Sequence, residues 1–353
     1  MEGEAAPSGP VPQPESLQPQ SPPSPRRRIW RAVLAAALVL FVCAGAVGWW
    51  GYRAFEKPGP SSEAVLVVIP SGVGVAGIAQ RLQQAGVIER RFVFETGARL
   101  LYQRSLRAGE YEIPAHASAH AIADLLASGK TYVRRLTVPE GLTVAEALEI
   151  VGTAEALSGQ VTRQPGEGEL LPETYNYSYG DKRDAVVARM ADAMRRTLAE
   201  LWEKRAPNLP YATPREALIM ASIVEKETGV DAERARVAGV FVNRLRQGMR
   251  LESDPTVVYA LSRGGEPLGR PLTRKDLETD DPYNTYRNAG LPPGPIANPG
   301  RAALVAVLSP MATEELYFVA DGQGGHRFAR TYAEHLKNVA RYRALRDGQP
   351  PPN

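Results

Sequence analysis

Between Arg31 and Arg53 the chain runs for 21 residues, Ala32 to Tyr52, without a single charge. As a helix this run rises about 31 Å, which matches the hydrocarbon core of a bilayer. Trp30 at one end, and Trp49, Trp50 and Tyr52 at the other, stand where interfacial aromatic belts stand. Arg26, Arg27, Arg28 and Arg31 precede the run and only Arg53 closes it, so the positive-inside rule puts the N-terminus in the cytoplasm. The rest of the chain must then fold outside the cytoplasmic membrane, on the periplasmic or extracytoplasmic side. A cleaved signal peptide competes, because Ala44-Gly45-Ala46 resembles a small-residue cleavage site. The apolar run continues past that site into the aromatic girdle, which favours an uncleaved anchor. A lipoprotein signal at Cys43 fits poorly, since Val42 stands where a small residue is needed and the cysteine lies in mid-span.

Cys43 is the only cysteine, so no intramolecular disulfide can form and the outer domains must rely on apolar cores. With a formal charge of +3 over 353 residues, the chain has no basic excess that would imply nucleic acid. Residues 1–31 begin with eight prolines in the first 25 positions and read as a disordered Pro-rich cytoplasmic tail; 346–353 read as a second tail. Residues 53–62, with Glu56-Lys57-Pro58-Gly59-Pro60, form a linker. A unit then recurs three times: a β-type run ending before Pro70, Pro114 and Pro139, a small or polar turn, and an amphipathic helix. Ser118 and Thr143 suit the helix N-caps. The first two units, with a helix around Arg91 to Tyr102 between them, make a βααβ module over 63–131. Two readings stay open for it, a packing domain or a grip on a linear polymer.

Residues 132–345 form a second, mixed α/β domain, so the fold class is α+β behind a single transmembrane helix. Within it, 153–169 is a polar loop. Tyr175, Tyr177 and Tyr179 alternate along a strand, and Asp184 to Ala206 has helical periodicity. Ala217 to Val224 is apolar on nearly every face, as in a buried helix, yet it ends in Glu225 and Glu227. Gly229 reads as the helix stop, and Asp231 as the N-cap of a helix reaching Arg246. Residues two apart on a helix point about 200° apart, so one glutamate at most can face a given cleft. Glu227 lies over Ile223 and Val224, where apolar surroundings and the negative helix end both raise a carboxyl pKa. That is the state a general acid needs. The other reading is that both glutamates are a solvated helix end or partners of a structural ion pair, with Arg234 or Arg236 as candidates. The segment from Thr273 to Gly300 is long, irregular and rich in Pro, Gly and Asn, as functional loops are. A helix from Arg301, a strand Leu316 to Asp321, a glycine turn, His326-Arg327-Phe328 and a helix to about Arg343 complete the domain.

His116 and His120 have the spacing of paired metal ligands, but no acid lies between them and no third ligand is evident, so no metal is expected. Neither an acyl-transfer nucleophile motif nor a phosphate-cradling glycine loop is present, so no cofactor is expected. His326, after two glycines, is either a site-rim or an exposed turn residue. What remains is an embedded acid among Tyr, Asn and Gly-rich loops, a combination that suits a carbohydrate.

The segments ASIVEKET, VFVNRL, GMRLESDPTVVYAL, DPYNTY, GLPPGPIANPG and YFVADGQGGHRF, in this order, resemble those of the endolytic murein transglycosylases, the MltG or YceG-like family of bacteria. The resemblance covers roughly residues 63–345 and includes the preceding anchor. It implies a LysM-like glycan-binding module at 63–131 and a catalytic domain at 132–345. It also implies that Glu227 is the catalytic acid, with Glu225 in support. Asp254, Tyr259, Asn284, Tyr286 and Asn298 lie in the motifs and are candidates to line a saccharide groove. The implied reaction breaks the bond between N-acetylmuramic acid and N-acetylglucosamine in nascent strands without water. The same carboxylate that protonates the leaving oxygen takes the proton of the C6 hydroxyl, leaving a 1,6-anhydro end. Implied partners are peptidoglycan strands, peptidoglycan synthases and, through residues 32–52, the lipid bilayer. A non-catalytic peptidoglycan-binding scaffold is the alternative, although it has no need of an acid at a buried helix end.

Overall fold

The computed structural model describes residues 25–102 and 106–348. The Pro-rich segment 1–24 and residues 349–353 lie outside the described residues, and so does most of what the sequence suggests about the two tails. Helix α1 (Pro25–Glu56) contains the apolar run and continues through positions expected to be linker. Its stretch Ile29–Glu56 is long and apolar enough to cross a membrane. Large side chains on every face, such as Leu34, Phe41 and Trp49, are exposed. Such surface is stable in hydrocarbon and costly in water.

Two compact units follow from the contacts within the chain. The first contains α1 with α2 (Val75–Gln84), α3 (Arg91–Tyr102) and α4 (Ala119–Ser128). Their apolar residues recur at helical spacing, Ile78-Ala79-Leu82, Val93-Phe94-Ala98 and Ile122-Ala123-Leu126, and all of these are buried. The end of α1 is pinned here. Phe55 is buried, stacks on His120 at 5.4 Å, and fills the space above Gly97, where a Cβ would come within 2.6 Å of its ring. His120 Nδ1 and Glu56 Oε1 lie 2.7 Å apart. His116, the other member of the expected pair, is exposed with φ 57°.

The second unit takes in the rest, including most of β1 (Val65–Ile69) and β2 (Gly109–Ile113), which hydrogen-bond to each other. The strands and helices of the expected βααβ module therefore fall in different units. β3 (Arg134–Thr137) pairs antiparallel with β4 (Thr174–Tyr177), Leu136 opposite Tyr175. Tyr175 and Tyr177 are buried as their alternation requires, while Tyr179, past the strand, is exposed. With α5 (Val144–Thr153) and α6 (Arg183–Glu203) these strands enclose one apolar cluster. The polar loop after α5 is held by Arg183, whose guanidinium donates to the carbonyls of Val151, Gly152, Ala154, Leu157 and Gly159.

The larger cluster surrounds α7 (Pro214–Glu227), which packs against α8 (Asp231–Arg246) and α11 (Arg301–Leu308). Every residue of α7 from Ala217 to Val224 is buried. Its start carries a capping box, Thr213 with Glu216, and Pro214 sits in the first turn where no N–H is missed. The cap of α8 differs from expectation by one residue. Val230 occupies the N-cap, and Asp231 opens the helix with its carboxylate on Arg234. α9 (Asp254–Ser262) and the short α10 (Arg274–Leu277) flank the irregular segment. β5 (Tyr317–Ala320) and β6 (His326–Ala329) form an antiparallel hairpin, and α12 (Tyr332–Arg346) packs on both strands. That helix runs past Arg343 into the expected C-terminal tail.

Candidate active site

The last turn of α7 sends its three polar side chains three ways. Glu225 Oε2 accepts the N–H of Gly300, the N-cap of α11, at 2.9 Å. Lys226 Nζ donates to the carbonyl of Gly141 at 3.0 Å. Glu227 Oε1 accepts from the hydroxyl of Ser253, the N-cap of α9. Neither glutamate takes Arg234 or Arg236 as its hydrogen-bonded ion pair. Arg234 bonds to Asp231 and Arg236 to Glu315. The structural ion-pair reading of the two glutamates is thus set aside by where the arginines go.

Glu227 opens into a cleft of about 390 Å³ whose lining also includes Arg244, Asp254, Tyr286, Phe318, His326 and His335. Burial raises its carboxyl to about 7, and the charge of Asp254 adds to the rise. The Ser253 hydroxyl, His326 and Arg244 oppose it. Glu225 is also raised, chiefly by burial, against the Gly300 N–H. Only Glu227 combines that shift with the cleft.

The wall that carries Ser253 is rigid. Arg244 donates to the carbonyls of Leu316, Arg250 and Leu251 and meets the Glu252 carboxylate at 3.2 Å. Glu252 stands at φ +50°, a left-handed conformation that L residues adopt at a cost and that recurs at functional sites. Ser253 is then fixed from both sides. Its N–H donates to Thr285 Oγ1 at 3.0 Å, and its carbonyl accepts from Thr256 Oγ1 at 2.7 Å.

Asp254 lines this cleft and a second hollow of about 370 Å³, which also includes Thr143, Lys226, Tyr259 and Ile296. Its Oδ1 accepts the Tyr286 hydroxyl at 2.7 Å. Tyr259 packs against Tyr283 with ring centroids 4.8 Å apart. Glu227, Asp254 and Tyr286 therefore share one cleft, and Asp254 joins it to the neighbouring hollow that holds Tyr259.

Asn284 and Asn298 stand elsewhere. Both are buried, and their amides are occupied by backbone. Asn284 donates to the carbonyls of Leu277 and Thr279 and accepts from Tyr286 N–H. Asn298 donates to Leu142 and accepts from Leu170 N–H. They hold the irregular segment in shape, as Ser222 does by accepting from Ile296 N–H at 3.0 Å. This satisfies the buried loop backbone that would otherwise be costly.

Ser253, Arg244, His335 and Glu233 escaped the sequence reading. A serine before Asp-Pro is a helix-cap signal, which could have singled out Ser253. No local pattern marks the other three, whose neighbours are distant in sequence. His326 proves to be a residue of the cleft, so of its two readings the rim reading is the one the geometry matches.

Comparison with known proteins agrees with the motifs. A profile described as the YceG-like family matches residues 67–341. A Bacillus subtilis (strain 168) protein named endolytic murein transglycosylase is 31% identical over 313 residues, spanning 80% of this chain and 86% of its own. A protein of the same name from Streptococcus pneumoniae serotype 2 is 29% identical over 362 residues, spanning 88% of this chain and 65% of its own length. Among solved structures, a YceG-like protein from Listeria monocytogenes is 31% identical, with a TM-score of 0.48 over 78% of this chain and 99% of its own. By the extent of the profile match and of the Bacillus alignment, the chain belongs to the YceG-like family.

Proposed function

We propose that the protein is a membrane-anchored endolytic peptidoglycan lytic transglycosylase with Glu227 as its general acid. The observation that carries the proposal is a carboxyl raised to about 7 in an open cleft, tied to Ser253. Such a group keeps its proton near neutral pH and can deliver it to a leaving oxygen. The substrate class follows the name of the relatives, murein, and suits a cleft and neighbouring hollow edged by Tyr286, Asp254 and Tyr259.

In this reading the N-acetylmuramyl–N-acetylglucosamine bond lies across the cleft. Glu227 protonates the glycosidic oxygen, the bond to C1 breaks, and the C6 hydroxyl of the same muramyl residue closes on C1. Its proton passes to a base in the cleft, for which the Glu227 carboxylate just formed is available. The products are a 1,6-anhydro end and a free N-acetylglucosamine hydroxyl, with no water consumed. Glu225 acts indirectly, fixing the end of α7 to α11 through Gly300. Residues 63–131 supply a LysM-like grip on the strand. Ile29–Glu56 anchors the chain in the cytoplasmic membrane with its N-terminus inside, so cleavage takes place close to where strands are made.

Asp254 in the same cleft favours a second reading, a hydrolase in which a second carboxylate serves as nucleophile or base. Its bond to the Tyr286 hydroxyl gives it a positioning task instead. A scaffold without activity would leave the raised acid without purpose. Digestion of purified sacculi by wild type, Glu227→Gln and Glu225→Gln tests the assignment. Loss in the first variant, with substantial activity in the second, is expected. Full activity of Glu227→Gln would remove the proposal.

A further inference from the structure

His326 begins β6 directly after the glycine turn, and Glu233 in the first turn of α8 clamps it. The His326 N–H donates to Glu233 Oε1 at 3.1 Å, and Nδ1 lies 2.9 Å from Oε2. A Cβ at Gly325 would lie 2.9 Å from Glu233 Oε1, so the turn passes close against the carboxylate. The edge of His326 meets Phe318, with ring centroids 5.3 Å apart at 88°. The ring is therefore set by a carboxylate on one side and an aromatic on the other. Beside an ionised Glu233, the proton of the neutral imidazole belongs on Nδ1, which leaves the Nε2 lone pair free to accept. Nε2 has no protein hydrogen-bond partner among the described residues, and His326 lines the cleft of Glu227.

This constellation matters because ring closure needs two proton movements. The leaving oxygen must gain a proton while the C6 hydroxyl loses one. A carboxyl that still holds its proton cannot take another in the same step. Of the other acids facing this space, Asp254 is occupied by the Tyr286 hydroxyl and Glu252 by Arg244; Arg244 is permanently charged, and His335, on α12, is stacked on Tyr317.

We propose that His326, held by Glu233, is the base that accepts the C6 hydroxyl proton while Glu227 protonates the leaving oxygen. The assignment rests on the lytic reaction proposed above and deepens it. The C1–leaving oxygen bond breaks as that oxygen takes the Glu227 proton. The O6–H bond breaks towards Nε2 as O6 bonds to C1, and the imidazolium so formed faces Glu233. Return of that proton to the Glu227 carboxylate within the cleft restores both groups, with no oxidant, reductant or water consumed. Glu233 touches no substrate and is a positioning residue.

The test uses the full chain in detergent micelles acting on purified glycan strands, read by mass analysis of ends and by initial rates. His326→Asn keeps a donor towards Glu233 but has no base, and kcat should fall by about 10²–10⁴-fold with KM changed only a few-fold. In His326→Ala added imidazole should restore part of the lost kcat, whereas Glu227→Gln should not respond to it. Glu233→Gln should lower kcat by about tenfold and leave KM alone. Wild-type-like kcat in His326→Asn would overturn the assignment. So would failure of imidazole to restore any activity in a His326→Ala protein that melts like wild type. If the wild type leaves no anhydro ends, the lytic reaction itself fails, and that result is separable from a wild type that makes anhydro ends without needing His326.

Discussion

Replacing Ser253 by alanine should make the enzyme work at higher pH. The Ser253 hydroxyl donates to Glu227 Oε1 and favours the ionised carboxylate, so its removal raises a carboxyl already at about 7. A hydrogen bond to a charged group contributes about 1.5–3 kcal/mol, and water entering the vacated space replaces part of it. A net loss of about 1.4 kcal/mol corresponds to one pKa unit, which moves Glu227 to about 8. At pH 8 the protonated share then grows from about one tenth to about one half, a fivefold gain in competent enzyme. The assay is the initial rate of soluble glycan release from sacculi between pH 5 and 10 for wild type and Ser253→Ala. The alkaline limb of kcat/KM should move up by about one unit, and any fall in the plateau reports lost positioning separately. An unmoved limb, or one displaced downwards, would refute the claim that Ser253 tunes the acid.

Glu227→Gln should stabilise the fold at alkaline pH. The shift from 4.5 to about 7 has a ceiling near ~3 kcal/mol, and because the residue is partly exposed, screening leaves about 1–2. As the folded-state pKa is raised, the cost is absent below pH 4.5, grows up to 7 and is complete above it; denaturant melts at pH 4.5 and 8 check both ends. Arg183→Ala frees five carbonyls around the loop after α5 and should cost about 2–4 kcal/mol in the same melts, without changing KM. Asn284→Ala should cost about 1–3 kcal/mol with KM changed less than about threefold, because its amide serves Leu277 and Thr279; a large KM rise at unchanged stability would instead make it a substrate contact.

Much of the second unit was legible because local signals act alone there. The prolines at 70 and 139 end strands whatever surrounds them, Thr143 closes a capping box within three residues, and eight consecutive buried positions mark α7. The direction of Glu227 followed from helix geometry, but its partner Ser253 lies 26 positions away and depends on a strained Glu252. Asp231 looked like a cap, and yet Val230 takes that position while the aspartate binds Arg234 one turn on. The asparagines were ambiguous for a related reason. An amide in a Pro-rich loop can meet a sugar or the loop's own carbonyls, and only the closed loop shows Asn284 and Asn298 choosing the latter. His326 gained its importance from Glu233, 93 residues earlier in the chain.

Glu227 is expected to drive bond breakage in which the sugar's own hydroxyl, and not water, closes on C1. Digestion of sacculi in heavy-oxygen water, followed by mass analysis of every new muramyl end, tests it most directly. Anhydro ends that carry no solvent oxygen, produced by wild type and missing with Glu227→Gln, are the expected result. Reducing ends labelled by the solvent would overturn it and identify a hydrolase.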